Sequence, residues 1–282
     1  MIDLHIHTNL SDGTDSVEKL IDKLQSSNIK TFSITDHDNI EADKIIKKQY
    51  LKLLNEKNIK YISGVEFSTD YKGQSMHILA YNYSSSDEVV SEIVDYIHSL
   101  RLQRFSRRID DIKTDFNITF SDEELEWMFS RNNPGKPHIA TILVNNGYAE
   151  SITEAISKYM PKRLNEYKVS AIDVIKKLSS HGVLVGIAHP LGGEGEDRIS
   201  VETFEKNVES LVEHGISFLE CYYSLYDEHE REIIKMVADK YGLLLSGGSD
   251  YHGKNKDIKL GELGVDYDNI NSSDLTIITN FS

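Results

Sequence analysis

The chain has 282 residues but only one cysteine, one tryptophan and four prolines. A lone thiol, Cys221, excludes an internal disulfide and any zinc site built on thiolates. No stretch approaches the roughly 18 apolar residues of a membrane span, and Met1-Ile2-Asp3-Leu4-His5 lacks the basic and apolar regions of a signal peptide. Positive charge is scarce: 31 Lys and Arg face 46 Asp and Glu, a formal charge of −15. Gripping duplex nucleic acid along its length needs a broad basic face, so that class of partner is excluded. A short phosphorylated ligand, held by a local basic patch or by metal ions, is not. What the chain does have is a 39% apolar content, enough to bury a core. These features describe a soluble cytoplasmic protein with no membrane contact, either one large domain or a large domain carrying a smaller insertion. They say nothing of protein partners.

Short apolar runs alternate with helical patterns. Strands are predicted at 2–7, 30–35, 59–65, 76–82, 183–188, 216–220 and 242–246. Between them, Val17, Leu20, Ile21 and Leu24 recur at helical spacing, with Asp15 and Glu18 placed to form a capping box. Val201, Phe204, Val208, Leu211 and Val212 repeat that period, as do Ile233, Ile234, Val237 and Tyr241. Strands separated by such helices imply βα units and a mainly parallel sheet or barrel. The alternation fails from about 87 to 168, a stretch that reads as helical throughout, holds Trp127 and contains a turn at Asn132-Asn133-Pro134-Gly135. It reads as a helical insertion serving as a substrate lid, which divides the chain into 1–86 with 169–282, and 87–168.

The ionisable residues fall in a pattern. His5 and His7 close the first predicted strand, Asp36 and His37 follow the second, and Glu66 follows the third. His77 lies within the fourth, His189 ends the fifth, Glu220 ends the sixth, and Asp250 and His252 follow the seventh. In parallel strands nearly all of these would gather at the carboxyl ends, where barrel enzymes build their sites. On a strand, residues i and i+2 share a face, so His5 and His7 can ligate one ion together. Asp12-Gly13 occupies a loop after His7, and Asp38 or Asn39 is placed to cap the helix that follows. Taken singly, a His or Asp at a strand end reads first as a core or capping group, and only the His5 and His7 pair reads equally well as a metal site. Taken together, imidazoles mixed with carboxylates and no thiolate suit Mn²⁺, Fe²⁺ or Zn²⁺.

On these residues the chain resembles the PHP family, the polymerase and histidinol phosphatase domains. The resemblance rests on Asp3-Leu4-His5-Ile6-His7-Thr8, Ser11-Asp12-Gly13, Thr35-Asp36-His37-Asp38, Gly64-Val65-Glu66, His77, Ala188-His189-Pro190 and Ser249-Asp250-Tyr251-His252. It implies an α/β fold, a distorted seven-stranded β/α barrel with a helical insertion domain, holding two or three divalent ions, Mn²⁺ first and Fe²⁺ or Zn²⁺ as alternatives. It also implies that His5, His7, Glu66 and Asp250 hold one ion. Glu66 then bridges to a second ion on His77 and His189, and Asp12, His37 and His252 hold a third. Asp12, His189 and His252 count as catalytic as well, and Asp36 orients a ligand. Glu220 reads either as a further neighbour or as a core-edge carboxylate.

The implied activity is phosphoester hydrolysis through attack by hydroxide held between the ions. Gly135-Lys136-Pro137-His138-Ile139-Ala140 resembles a Gly-Arg-Pro-His-Ile-Ala segment of stand-alone members acting on nucleotides, with Lys in place of Arg. Leu191-Gly192-Gly193 follows His189-Pro190, where such relatives usually carry a basic residue. Arg101, Arg104 and Arg108 share one helical face beside Arg107, so Arg101, Arg104, Lys136 and His138 are candidate substrate contacts. A solvated face paired with Asp110 and Asp111 is the competing reading of those arginines. Candidate substrates are a nucleoside 3′,5′-bisphosphate, a short oligonucleotide, a cyclic phosphodiester and histidinol phosphate. The competing functions are a metal-stabilised binding domain without catalysis and amide hydrolysis of the amidohydrolase type. His98, His181, His214 and His229 match no motif.

Overall fold

A computed structural model of the chain describes residues 1–84, 88–131, 134–162, 164, 167–194, 196–264 and 274–281. Within them lie strands β1 (Ile2–Asp3), β2 (Thr31–Ile34), β3 (Lys60–Tyr71), β4 (Gln74–Tyr81), β5 (Val169–Ser170), β6 (Leu184–Ile187), β7 (Phe218–Tyr223) and β8 (Leu244–Gly248). Seven of them run side by side in the order β1-β2-β3-β4-β6-β7-β8, and the two-residue β5 pairs with β3 off that path. The path comes round on itself. Leu4 N–H donates to the Gly247 carbonyl at 3.1 Å, Asp250 N–H to that of His5 at 2.8 Å, and His7 N–H to that of Tyr251 at 2.9 Å. The sheet is therefore a nearly closed barrel of seven strands, as the motifs implied.

One direction differs from the parallel expectation. β1, β2 and β3 are parallel, as are β6, β7 and β8, but β4 runs antiparallel to both β3 and β6. The cause is local. Only Lys72 and Gly73 connect β3 to β4, at φ 53° and 84°, and Asp70 Oδ2 accepts the Gly73 N–H at 2.9 Å. A two-residue turn with both φ values positive can join only antiparallel neighbours. β3 accordingly extends to Tyr71, so Glu66 lies inside it rather than after it.

Helices cover the outside of the barrel. In α1 (Val17–Ser26), Val17, Leu20, Ile21 and Leu24 pack with Phe32, Ile34 and Ile46. The N-cap of α1 is Ser16, whose hydroxyl accepts the Lys19 N–H at 3.2 Å, and not Asp15. Asp15 is drawn away to Lys23 Nζ at 2.5 Å and the Tyr251 hydroxyl at 2.6 Å, so the predicted Asp15–Glu18 box does not form. Residues 41–56 form α2 (Glu41–Ile45), a wider π-helical turn over Ile46–Tyr50, and α3 (Leu51–Glu56). Asp38 does not cap this run: its Oδ1 accepts the Ser68 N–H, while Asn39 Oδ1 accepts that of Glu41. Inside the barrel, Leu4, Ile62, Leu79, Tyr81, Ala188 and Phe218 pack with Ile277 and Phe281 of the C-terminal segment.

The chain forms two compact units, Met1–Val94 with Ser170–Ser282, and Asp95–Val169. The proposed division at 86/87 and the Asn132-Asn133 part of the predicted turn lie outside the described residues. Helix α4 (Glu88–Phe116) contains the first boundary; α5 (Asp122–Phe129), α6 (Lys136–Asn145) and α7 (Ile152–Tyr159) follow it. Phe105, Ile112, Met128, Ile139, Leu143 and Ala155 form the core of the second unit. In the first unit, α8 (Ala171–Ser179), α9 (Val201–Val212) and α10 (Glu228–Tyr241) alternate with β6 to β8. No helix among the described residues is long and apolar enough to cross a membrane.

Closure of the barrel depends on backbone contact at Gly248. A Cβ built there would stand 2.2 Å from His5 Cβ and 2.3 Å from His5 N. Gly248→Ala should therefore force β8 off β1 and cost about 1–3 kcal/mol or more of folding free energy. Urea denaturation measures this, and a variant within about 0.5 kcal/mol of the parent would contradict tight closure at this point.

Candidate metal centre

At one end of the barrel, side chains from every part of the strand path converge. His5 and His7 come from the extended chain after β1, Asp12 from the loop beyond it, and His37 from the segment after β2. Glu66 is in mid-β3, His189 follows β6, and Asp250 and His252 follow β8. His77 reaches the same end because it sits near the start of β4, and β4 is the strand that runs the other way. The antiparallel hairpin thus places this imidazole where a parallel strand would have needed it at its carboxyl end.

Glu66 is 1% exposed and lies at the middle of the cluster. Its Oε2 is 3.1 Å from His5 Nε2, 3.1 Å from His7 Nε2 and 3.2 Å from His37 Nδ1. Its Oε1 is 3.1 Å from His77 Nδ1 and 3.2 Å from His189 Nε2. Asp250 Oδ1 stands 3.6 Å from His5 Nε2 and 3.3 Å from His7 Nε2. Asp12, the most open member at 52% side-chain exposure, lies 3.2 Å from His252 Nε2, 3.5 Å from His7 Nδ1 and 3.7 Å from His37 Nε2.

The ring nitrogens facing away from the cluster show which atoms point inward. His5 Nδ1 donates to Glu220 Oε1 at 2.9 Å, and His252 Nδ1 donates to the Asp250 carbonyl at 2.8 Å. Each leaves its Nε2 lone pair facing a carboxylate. The buried Nδ1 atoms of His37 and His77 make no hydrogen bond. Lone pairs set against carboxylate oxygens at such distances repel unless a proton or a metal ion lies between them. Two donors each about 2.1 Å from an ion stand about 3.0–3.4 Å apart, close to the separations found here. Among the described residues, four groups bring one donor atom each to within 4.8 Å of one another: His5, His7 and Asp250; His7, Asp12, His37 and His252; His37, Glu66 and His77; and His77, His189 and Glu196. The donor set fits divalent metal ions.

The surrounding residues hold this geometry. Asp36, also buried, accepts the Thr8 N–H, the Thr8 hydroxyl and the Ser11 hydroxyl, each at 2.7 Å, and so shapes the loop that carries Asp12. Glu220 is fully buried; besides His5, it accepts the His189 N–H at 2.7 Å. That bond stabilises His189 at φ 27°, and Asp250 is likewise left-handed at φ 59°. Such backbone persists only where its surroundings impose it.

Three neighbours escaped the motif reading. Glu196 Oε2 lies 2.9 Å from His189 Nδ1, Lys256 Nζ 2.6 Å from Asp250 Oδ2, and the Tyr223 hydroxyl donates to the same Oδ2 at 3.1 Å. Glu196 and Lys256 lie in loops, and Tyr223 ends β7 beyond the predicted 216–220 strand and is not a ligand type; the signal for Glu196 was a run of glycines and acids after His189-Pro190. The candidate substrate contacts lie in the second unit, where Arg101 and Arg104 are on α4, Lys136 opens α6 and His138 follows two residues later. His138 Nδ1 accepts the Gly135 N–H at 3.1 Å, which leaves Nε2 to carry the proton of the neutral ring. Arg107 pairs with Asp111 at 3.0 Å.

Burial alone would lower the imidazoles, but the carboxylates outweigh it. Hydrogen bonds donated to Asp250 and Glu66 push His7 up to about 9, those donated to Glu196 and Glu66 push His189 up to about 10, and Glu220, Glu66 and Asp250 hold His5 well above its ordinary value. For His37 burial prevails, pushing it down to about 3. Metal ions need the free lone pairs, so uptake at neutral pH must displace protons from His5, His7 and His189. Apparent metal affinity should rise from pH 6 toward about 9 to 10 and then level off. Calorimetric titration in buffers of different ionisation enthalpy measures the released protons; affinity independent of pH across this range would refute the arrangement.

A family model described as PHP domain matches residues 3–246. The chain is 27% identical over 266 residues to the 5′-3′ exoribonuclease Rnm of Escherichia coli K12, covering 92% of this chain and 87% of that protein. It is 24% identical over 255 residues to a 3′,5′-nucleoside bisphosphate phosphatase of Chromobacterium violaceum, covering 89% and 87%. A solved structure from Bifidobacterium adolescentis, provisionally named a metal-dependent phosphoesterase, superposes with a TM-score of 0.70 at 27% identity over 95% of this chain and 93% of that one.

Proposed function

The chain belongs to the PHP family and is a metal-dependent phosphoesterase, and on that premise we propose that its substrate is a small phosphorylated nucleotide, with a nucleoside 3′,5′-bisphosphate first. The observation that carries phosphoester chemistry is the buried convergence on Glu66. His5, His7, Glu66 and Asp250 would hold one ion, Glu66, His77 and His189 a second, and Asp12, His37 and His252 a third. When bound, such ions polarise phosphoryl oxygens and lower the pKa of a coordinated water. Mn²⁺ leads on the mixed imidazole and carboxylate set, with Fe²⁺ and Zn²⁺ as alternatives.

The chain's own residues do the rest. Lys256 Nζ, anchored on Asp250 Oδ2, presents positive charge for a phosphoryl oxygen. Asp12 and His252 share the exposed side of the cluster; with Oδ1 and Nε2 turned to an ion, a solvent water on that side is left to protonate the departing alcohol. A covalent phosphoenzyme through the lone thiol is ruled out by chemistry. Cys221 is buried and pushed up to about 12, so it supplies no thiolate at neutral pH. Nucleotide preference rests on the bisphosphate phosphatase relative and on Gly135-Lys136-Pro137-His138-Ile139-Ala140. The exoribonuclease relative supports a second reading, stepwise cleavage of a short 5′-phosphorylated oligoribonucleotide.

A hydrolysis screen with Mn²⁺, Fe²⁺ or Zn²⁺ added in turn separates these readings. Nucleoside bisphosphate should be hydrolysed fastest, read with histidinol phosphate as released inorganic phosphate; oligoribonucleotide and cyclic phosphodiester, whose cleavage leaves a phosphomonoester, are read by chromatography of their products and should turn over more slowly. Asp250→Asn should abolish turnover with near-native circular dichroism, and unchanged activity would remove Asp250 from the metal centre. Lys136→Ala should lower kcat/KM for the bisphosphate roughly 5- to 150-fold, the equivalent of about 1–3 kcal/mol for one charged contact. A chromogenic ester without a second phosphate should be hydrolysed nearly as before, and Lys136→Arg should retain bisphosphate activity. Equal loss on both substrates would instead tie Lys136 to the scissile phosphate.

A further inference from the structure

We infer that Glu196 is a positioning residue for the ion held by His77 and His189, an inference that rests on the metal-dependent reading above. His189 has two ring nitrogens with different neighbours. Nε2 faces Glu66 Oε1 at 3.2 Å, and Nδ1 lies 2.9 Å from Glu196 Oε2. A carboxylate can only accept, so Nδ1 carries the proton and donates it to Glu196. The Nε2 lone pair is thereby aimed at the centre. A metal-binding imidazole whose other nitrogen donates to a carboxylate has its tautomer and ring orientation fixed, and it becomes a more basic ligand.

The loop around this pair is shaped for the task. Glu196 Oε2 also accepts the Gly193 N–H at 2.7 Å, which locks the carboxylate against its own loop. Gly193 lies directly on the imidazole. A Cβ there would stand 2.9 Å from His189 Nδ1, 3.0 Å from its Cγ and 3.2 Å from Glu196 Oε2. Residue 193 must therefore be glycine for the ring and the carboxylate to meet. The other oxygen, Oε1, stands 3.8 Å from His77 Nδ1, beyond hydrogen-bond reach, so the contact is specific to His189. Its partnership with Glu220 is complementary. Glu220 holds the His189 backbone through its N–H, and Glu196 holds the ring.

The arrangement predicts a selective effect on metal binding, measured without turnover. Calorimetric or chelator-competition titration with Mn²⁺ and Zn²⁺ should show one binding step weakened about 10- to 100-fold in Glu196→Ala, the others unchanged and the thermal midpoint near that of the parent. Glu196→Gln should recover most of the lost affinity, because its amide oxygen still accepts the Nδ1 proton. Gly193→Ala should weaken the same step by pushing the ring aside. If Glu196→Ala binds every ion as the parent does, the inference fails. If Glu196→Gln loses as much as Glu196→Ala, the carboxylate ligates an ion itself and the positioning role is overturned. A parent protein that takes up no divalent ion would overturn the metal-dependent reading instead, so the two failures are distinguishable.

Discussion

One carboxylate sets the terms for the rest of the structure. Both oxygens of Glu66 lie within 3.2 Å of imidazole nitrogens, three at Oε2 and two at Oε1, and the side chain is almost wholly removed from water. An isolated buried carboxylate would protonate. Here burial is outweighed by His37, His5 and His77, which hold Glu66 well below its ordinary range. For five imidazoles to reach it, four different segments, one of them carrying both His5 and His7, must come within a few ångströms of mid-β3. A barrel meets that requirement because each strand brings one chain segment to the same end. β3 sits where the parallel half of the sheet meets the antiparallel hairpin, so its side chain faces contributions from both.

Much of this was legible in the residues themselves, for a physical reason. Metal-binding side chains cannot be scattered freely: they occupy strand ends, where a short apolar run stops and a polar residue follows. His5, His7, His37, His189, Asp250 and His252 all stand at such transitions, which is why the pattern can be read. Lone helix caps were less legible. Ser16 caps α1 while Asp15, the stronger-looking candidate, is claimed by Lys23 and Tyr251 from elsewhere in the fold. Such competition between local and tertiary partners leaves no trace in spacing.

The direction of β4 and the role of Glu196 were illegible for different reasons. Alternation of apolar and polar residues is the same in a parallel and an antiparallel strand, so direction is carried only by the connection. Here that connection is two residues, Lys72 and Gly73, in which only the glycine signals a left-handed turn. Glu196 sits in a glycine-rich loop with no secondary-structure period to set its facing. Its meeting with His189 follows from how closely Gly193 packs on the imidazole, a contact between backbone and ring that no periodic pattern encodes.

Charge connects the centre to its substrate. Asp3, Asp36, Glu66, Glu220 and Asp250 are all buried around this end of the barrel, in a chain whose formal charge is already −15. Lys256 pairs with a candidate ligand, and Asp250 already engages it. A phosphate approaching these carboxylates alone meets repulsion at close range, where a low dielectric makes it severe. Divalent ions reverse the sign of the field at that point. A bound ion that attracts the phosphate would raise its affinity, and the phosphate would raise that of the ion by the same factor. The acidic surroundings that make the centre a strong cation site thus also make it dependent on those cations for holding an anion. A broad basic face, by contrast, would bind phosphate backbones regardless of metal and would not restrict the reaction to the one place where hydrolysis can occur.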